Sequence, residues 1–189
     1  MKKWIKWINN HLKVLSITVL VMTAGWTIIS APDSSEDTGG LTPAPREGFL
    51  TPDFSLSTLT GETIQLRELS DKVVILNLWA TWCPPCRAEM PALQQVAEDY
   101  AERGLVVLAI NMTTQDNLND VKAFVQDFQI ATPVLLDVDG SVSDKYQARA
   151  LPTTFFIGQG NIINKVVIGG PLSESLLRVE VEKLLEGVN

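Results

Sequence analysis

Three patterns of apolar spacing divide this chain. From Val14 to Ile29, sixteen residues pass without a charge, with Lys2, Lys3, Lys6 and Lys13 before them and Asp33, Glu36 and Asp37 beyond. From Ala31 to Gly48 the apolar residues thin out among Pro, Ser, Asp, Thr and Gly. After Phe49, short apolar runs alternate with stretches of helical periodicity to the C-terminus. The three patterns predict a membrane anchor over residues 1–30, an exposed tether over 31–48 and a folded domain over 49–189.

Within the folded part, Phe54–Leu59 and Thr63–Leu66 alternate around Gly61 and predict a short β-hairpin. Val73–Trp79 is β-branched and apolar on both faces, the signature of a central strand. Arg87–Arg103 carries Met90, Leu93, Val96, Ala97 and Tyr100 at helical spacing, with Gly104 placed to end the helix and Pro91 to kink it. Leu105–Met112 reads as a second buried strand. Asp116 is placed to cap a helix whose stripe is Leu118, Val121, Phe124, Val125 and Phe128. Pro133–Leu136 is a short strand, Asp137–Gly140 a turn and Val142–Tyr146 a short helix. Strands Thr153–Ile157 and Ile162–Ile168 flank the turn Gly158–Asn161, and Ser173–Glu186 closes the chain as a helix. This order predicts an α/β domain with a mixed central sheet flanked by helices and an N-terminal hairpin extension.

The first block is short of the roughly 20 residues a span requires, although Leu12 and Ala31 extend it and Lys13 can snorkel. Trp4, Trp7 and Trp26 suit the two membrane interfaces. The lysines place the N-terminus in the cytoplasm and the domain outside, as a single-pass cell-membrane protein. A cleaved signal peptide, with Val14–Met22 as its apolar core, is the competing reading, and both readings export the domain. Charge sharpens this division. Of fifteen basic residues the first four precede Val14 and no acid precedes Asp33, so the rest of the chain sets eleven basic against twenty-two acidic residues. A field of that sign excludes nucleic acid as a natural partner and favours neutral or basic surfaces.

The two cysteines of the chain, Cys83 and Cys86, stand between the strand ending at Trp79 and the helix that follows. Unpaired N–H groups and the macrodipole at a helix start stabilise a thiolate, so Cys83 is the candidate nucleophile, with its sulfur facing outward. Cys86, one turn on, can close a disulfide with it. Pro84 and Pro85 fix two φ angles in the intervening turn, and Pro85 suits a first helical turn. Two cysteines are too few for a structural zinc site or an iron–sulfur cluster, the lone His11 lies in the N-terminal segment, and Arg87 stands where haem attachment would want histidine. A static bridge closing so small a loop constrains the unfolded chain little. Redox chemistry by the Cys83–Cys86 pair, with no metal or organic cofactor, is the reading that remains.

Around this pair, LNLWATWCPPCRAEMPAL resembles the active-site run of the TlpA/ResA family of membrane-anchored, extracytoplasmic thioredoxin-like proteins. TPDFSLSTLTGETIQLRELSDKVVILN and ALPTTFFIGQGNIINKVVIGG extend the resemblance over about residues 48–187. It implies a thioredoxin fold and thiol–disulfide exchange. Thioredoxins often carry an aspartate six positions before the first cysteine; Asn77 stands there and cannot titrate. Resemblance to the ResA-like group suggests Glu89 as the substitute base, on the face of Cys86. It also implies that Leu151-Pro152-Thr153 holds a cis-proline loop facing the disulfide, where the backbone before the proline pairs with substrate. Trp79 is expected in the core and Trp82 as a surface platform beside the site; Arg149, near the same loop, can modulate the field. By the same resemblance, the partners are disulfide-containing exported proteins, apocytochrome c among them, and a membrane thiol transporter of the CcdA or DsbD kind as electron donor. Two other functions are weighed against this one. Copper delivery would want a histidine in the exported domain, and peroxiredoxin-like peroxide reduction, which shares the Pro52–Leu56 start, would want a lone cysteine in another loop.

Overall fold

The computed structural model describes residues 42–187 together with Trp4. The expected anchor and most of the expected tether therefore lie outside the described residues. Among those described, no helix is long and apolar enough to cross a membrane.

The predicted hairpin forms as β1 (Ser55–Ser57) and β2 (Thr63–Gln65), antiparallel, with Leu56 opposite Ile64. The main sheet contains β3 (Val73–Trp79), β4 (Leu105–Asn111), β5 (Val134–Leu136), β6 (Thr153–Gly158) and β7 (Ile162–Ile168). Their order is β5-β4-β3-β6-β7, with β3 parallel to β4 and antiparallel to β6. This is the mixed sheet the element order predicts. Helices α1 (Pro84–Tyr100), α2 (Leu118–Asp127), α3 (Ser141–Lys145) and α4 (Glu174–Leu185) complete the domain.

Alternation along β3 sorts its side chains between two cores. Val73, Ile75 and Trp79 join Met90, Leu93 and Val96 of α1 and Leu177 and Val181 of α4. Val74, Leu76 and Leu78 join Phe54, Leu66, Tyr146 and Phe155 on the other face. Each buried Val, Leu or Ile contributes about 1.5–3 kcal/mol relative to exposure, so register is strongly specified by both faces. One polar residue interrupts the strand. The same alternation puts Asn77 on the α1 face, and its register partner on β6 is Thr154.

Helix α1 buries Cys86, Glu89, Met90, Leu93, Val96 and Tyr100, a stripe at helical spacing. A cysteine and a carboxylate are thus carried into the interior by the periodicity that buries the leucine and valine. The helix begins at Pro84, earlier than the amphipathic stretch predicts, because its first two positions need no N–H and accept both prolines. It runs on past Pro91 to Tyr100, and one 3-10 turn leads to Gly104 at φ 92°, the left-handed conformation expected there. The cap of α2 differs from expectation. Asn117, not Asp116, accepts from the Asn119 N–H at 2.8 Å, and Asp116 turns towards β3 instead. Asp137 is buried and accepts from the N–H groups of Val142 and Ser143, so the turn at 137–140 caps α3.

The segment before β1 lies along the sheet. Leu50 bridges Ile162, the Gly48 N–H donates to the Ile163 carbonyl at 2.7 Å, and the Val166 N–H donates to Glu47 Oε1 at 2.9 Å. At the opposite edge Thr58 bridges Leu135, and the Leu59 N–H donates to the Val134 carbonyl at 3.0 Å.

Candidate active site

Strand β3 ends at Trp79, and four residues later the chain enters α1 through Cys83, the N-cap. Cys83 and Cys86 are joined by a disulfide, with their Cα atoms 5.3 Å apart. The two prolines leave the first helical turn few donors. The Cys86 N–H lies 3.3 Å from Cys83 Sγ, and the Arg87 N–H donates to the Cys83 carbonyl at 3.1 Å. A single amide therefore faces the N-cap sulfur, where an ordinary first turn would present more.

The two sulfur-bearing residues differ in setting. Cys86 is wholly buried. Cys83 is only 3 % exposed, so the outward sulfur expected from the sequence is corrected: the residue is buried and lines a cavity of about 510 Å3. Trp82, Pro84, Pro85, Met112, Arg149 and Leu151 help line that cavity, and their bulk around the sulfur is the physical reason for its low exposure. Trp82 is 55 % exposed, as a platform should be, and its indole N–H donates to the Gln115 carbonyl at 2.7 Å. Trp79 is fully buried against Phe124.

The Leu151–Pro152 peptide bond is cis, in the loop where the resemblance places it. Leu151 borders the cavity over Cys83, while the Thr153 hydroxyl donates to the Ala150 carbonyl at 2.7 Å and braces the loop. Pro152 leads from this loop to a second cluster. A Cβ on Gly170 would lie 2.7 Å from Pro152 Cγ and 2.7 Å from Glu89 Oε2. Only a residue without a side chain fits between the proline ring and the carboxylate. Gly170–Pro171 is also cis.

Glu89 is 1 % exposed and so is a buried acid, not a surface one. Its Oε1 accepts from Asn77 Nδ2 at 2.8 Å and its Oε2 from the Leu172 N–H at 2.9 Å. Asn77 Nδ2 also donates to Thr154 Oγ1 at 2.9 Å, as their paired register allows, and Asn77 Oδ1 is buried with no partner among the described residues. Burial pushes the Glu89 carboxyl above its ordinary value of 4.5, and the two N–H donors only partly offset it. Asn77 thus holds the buried acid in place although it cannot itself titrate.

Sequence reasoning missed two parts of this arrangement. Asp116 accepts from the Thr81 N–H at 2.6 Å, from the Thr81 hydroxyl and from Asn111 Nδ2, pinning the β3–α1 loop just before Trp82. Burial opposes its charge, but these donors lower its pKa overall. Gly170 and Leu172 form the other missed part. Gly-Pro is a turn signal in the sequence, yet nothing there says which buried group the turn meets.

Comparison with known proteins agrees with this geometry. Residues 48–166 match the model of the AhpC/TSA family. Over 182 residues the chain is 34% identical to the thioredoxin-like protein YneN of Bacillus subtilis, covering 96% of this chain and 97% of the relative. It is 32% identical to the thiol-disulfide oxidoreductase ResA of the same organism, covering 85% of each. Among solved structures, a thiol:disulfide interchange protein of the thioredoxin family from Chlorobium tepidum TLS superposes with a TM-score of 0.67 at 28% identity. It covers 74% of this chain and 98% of that one. The mixed sheet, the helix-capping disulfide and these relatives together make the fold thioredoxin-like. The chain belongs to the AhpC/TSA family, and within that broad relationship to the thioredoxin-like ResA family of thiol-disulfide oxidoreductases.

Proposed function

We propose that this protein is a membrane-tethered reductant of disulfides in exported proteins, working outside the cytoplasm. One observation carries the reading: the Cys83–Cys86 pair has one member on an open cavity and the other sealed inside, near a buried acid. In the reduced state the Cys83 thiolate attacks one sulfur of a client disulfide, and the other client sulfur leaves as a thiolate. Glu89 takes the proton from the Cys86 thiol, which then attacks Cys83 Sγ and displaces the client's second sulfur. Two electrons pass to the client, and the domain returns to the disulfide. No metal or organic cofactor is required. Trp82 and the Leu151 backbone position the client strand, and Pro84, Pro85, Pro152 and Thr153 hold the surrounding loops.

The helix start supports the reducing direction. A thiolate favoured by many donors makes the dithiol form stable and the pair oxidising; Cys83 is faced by one first-turn amide. Fewer donors favour the reducing end of the range. Residues 1–30 supply the single-pass anchor, N-terminus in the cytoplasm, and residue 31 onward the tether. A membrane thiol transporter of the CcdA or DsbD kind returns electrons, and apocytochrome c before haem attachment is one client. The acidic excess beyond residue 30 argues against nucleic acid as a partner.

The test is the equilibrium potential of the pair in the full chain, against glutathione buffers, with reduction of a disulfide peptide followed alongside. A potential near about −250 mV or lower supports a reductant, and one near about −120 mV makes it an oxidant. Stoichiometric Cu(I) capture without disulfide exchange, or peroxide consumption at enzymatic rates, would replace this function with the corresponding alternative. Clients are then identified by trapping on Cys86→Ala.

A further inference from the structure

We propose that Arg149 selects clients bearing an acidic residue close to the cysteine under attack. The inference rests on the reading of the Cys83 cavity as the client site and adds a chemical preference to it. The cavity is lined by the disulfide-bonded Cys83 with Trp82, Met112 and Leu151 among others, but one lining residue alone carries charge, Arg149. Ala148 and Ala150 on either side of it also line the cavity, so the long side chain stands between two small ones.

The other arginines show what is unusual here. Arg46 lies over the Phe49 ring, Arg67 donates to Gln65, and Arg87 stacks on Phe124 and Phe128. Arg103 pairs with Glu182, and Arg178 with Asp99 and Glu174. Among the described residues Arg149 has no ion pair, hydrogen bond or ring beneath it. A guanidinium is a planar fork matched to a carboxylate, and a free one at the mouth of a reaction cavity is available to a ligand.

The surroundings make this preference local. Beyond residue 30 the chain has twice as many acidic as basic residues, so its far field repels acidic proteins. An acidic client body is therefore disfavoured, while one carboxylate beside the cysteine reaches the single cation of the cavity. Pairing there is partly desolvated by the docked strand, which strengthens it beyond an exposed surface pair. The partner expected is a neutral or basic exported chain with Asp or Glu within two residues of its reactive cysteine.

The experiment compares disulfide peptides carrying Asp, Asn or Lys at each of the two positions either side of the cysteine. Their second-order rate constants for reduction are measured in single turnover with the full reduced chain, as wild type, Arg149→Ala and Arg149→Glu, at low and high salt. At one or more positions the wild type should prefer Asp to Lys by about five- to tenfold, a preference narrowed by salt. Arg149→Ala should bring the ratio close to one, and Arg149→Glu should reverse it. The ratio is the informative quantity, because a change in Cys83 acidity alters all peptides alike. An Asp-to-Lys ratio unchanged across the three proteins at every position overturns the proposal. If the Asn peptide is reduced without any charge preference, this inference alone falls; if the Asn peptide is not reduced at all, the cavity is no client site and both readings fall.

Discussion

Cys83 and Cys86 share a helical turn and a covalent bond, but little else. Around Cys83 are a cavity, an exposed indole and a guanidinium with no partner among the described residues; around Cys86 are the sheet and the interior face of α1, which also carries Glu89. The difference comes from helix geometry. The N-cap residue still has extended backbone and lies outside the cylinder, whereas the third helical residue already belongs to the stripe that packs on β3. Three positions in sequence suffice to give one sulfur a partner's access and the other protection from it.

The comparison is broken most directly by alkylation of the reduced protein. Cys83 should react with iodoacetamide at least about a hundredfold faster than Cys86, read by fragment-ion mass spectrometry of the peptide that carries both cysteines. Equal rates, or faster modification of Cys86, would reverse the proposed roles.

A smaller effect probes the buried side. Glu89→Gln should slow resolution of the mixed disulfide by about a hundredfold, the usual scale for a positioned base, while leaving the first attack by Cys83 nearly unchanged. Stability gives an independent reading with a definite sign. Because burial raises the Glu89 pKa, the folded state keeps its proton at pH values where the unfolded chain has lost it. Stability therefore falls as pH rises above the ordinary value of 4.5 and levels off beyond the raised pKa. Denaturant unfolding of Glu89→Gln should lack this slope, and an identical slope in both proteins would place the proton elsewhere.

The smallest effect belongs to the loop between the two sides. Asp116→Ala removes the acceptor for Thr81 and Asn111 and should cost about 1–2 kcal/mol, since the site is partly exposed. Trp82 emission should shift as its loop loosens, with the Cys83 and Cys86 alkylation rates drawing closer together. Unaltered emission and rates would show that Gln115 alone fixes the indole.

Most of the fold was legible because its signals are local. The β-branched run at Val73–Trp79, the stripe from Met90 to Tyr100 and the glycine at 104 each specify one element. The site was legible in part for the same reason: a C-x-x-C pair between strand and helix is local, and Trp82 stands directly beside it. Glu89 and the Leu151-Pro152-Thr153 loop were found by resemblance. What escaped was non-local. Asp116 looks like a helix cap until the fold brings Thr81 within 2.6 Å of it, and Asn77 looks inert until burial pairs it with Glu89. The outward sulfur failed likewise, because helix position sets direction while the walls of the cavity come from segments 29 and 66 residues beyond Cys83, at Met112 and Arg149.

The stretch preceding β3 has a consequence for how another polypeptide can approach. Leu50 and Glu47 occupy backbone groups of β7, while Thr58 and Leu59 do so on β5, so one continuous piece of chain hems both margins of the five-stranded sheet. Lateral accretion of a foreign strand, the common route to runaway self-association, is obstructed on each flank. Under the function proposed above, a client strand would instead lie beside Leu151, which borders the same cavity as Cys83, so its pairing would end at a redox centre instead of propagating.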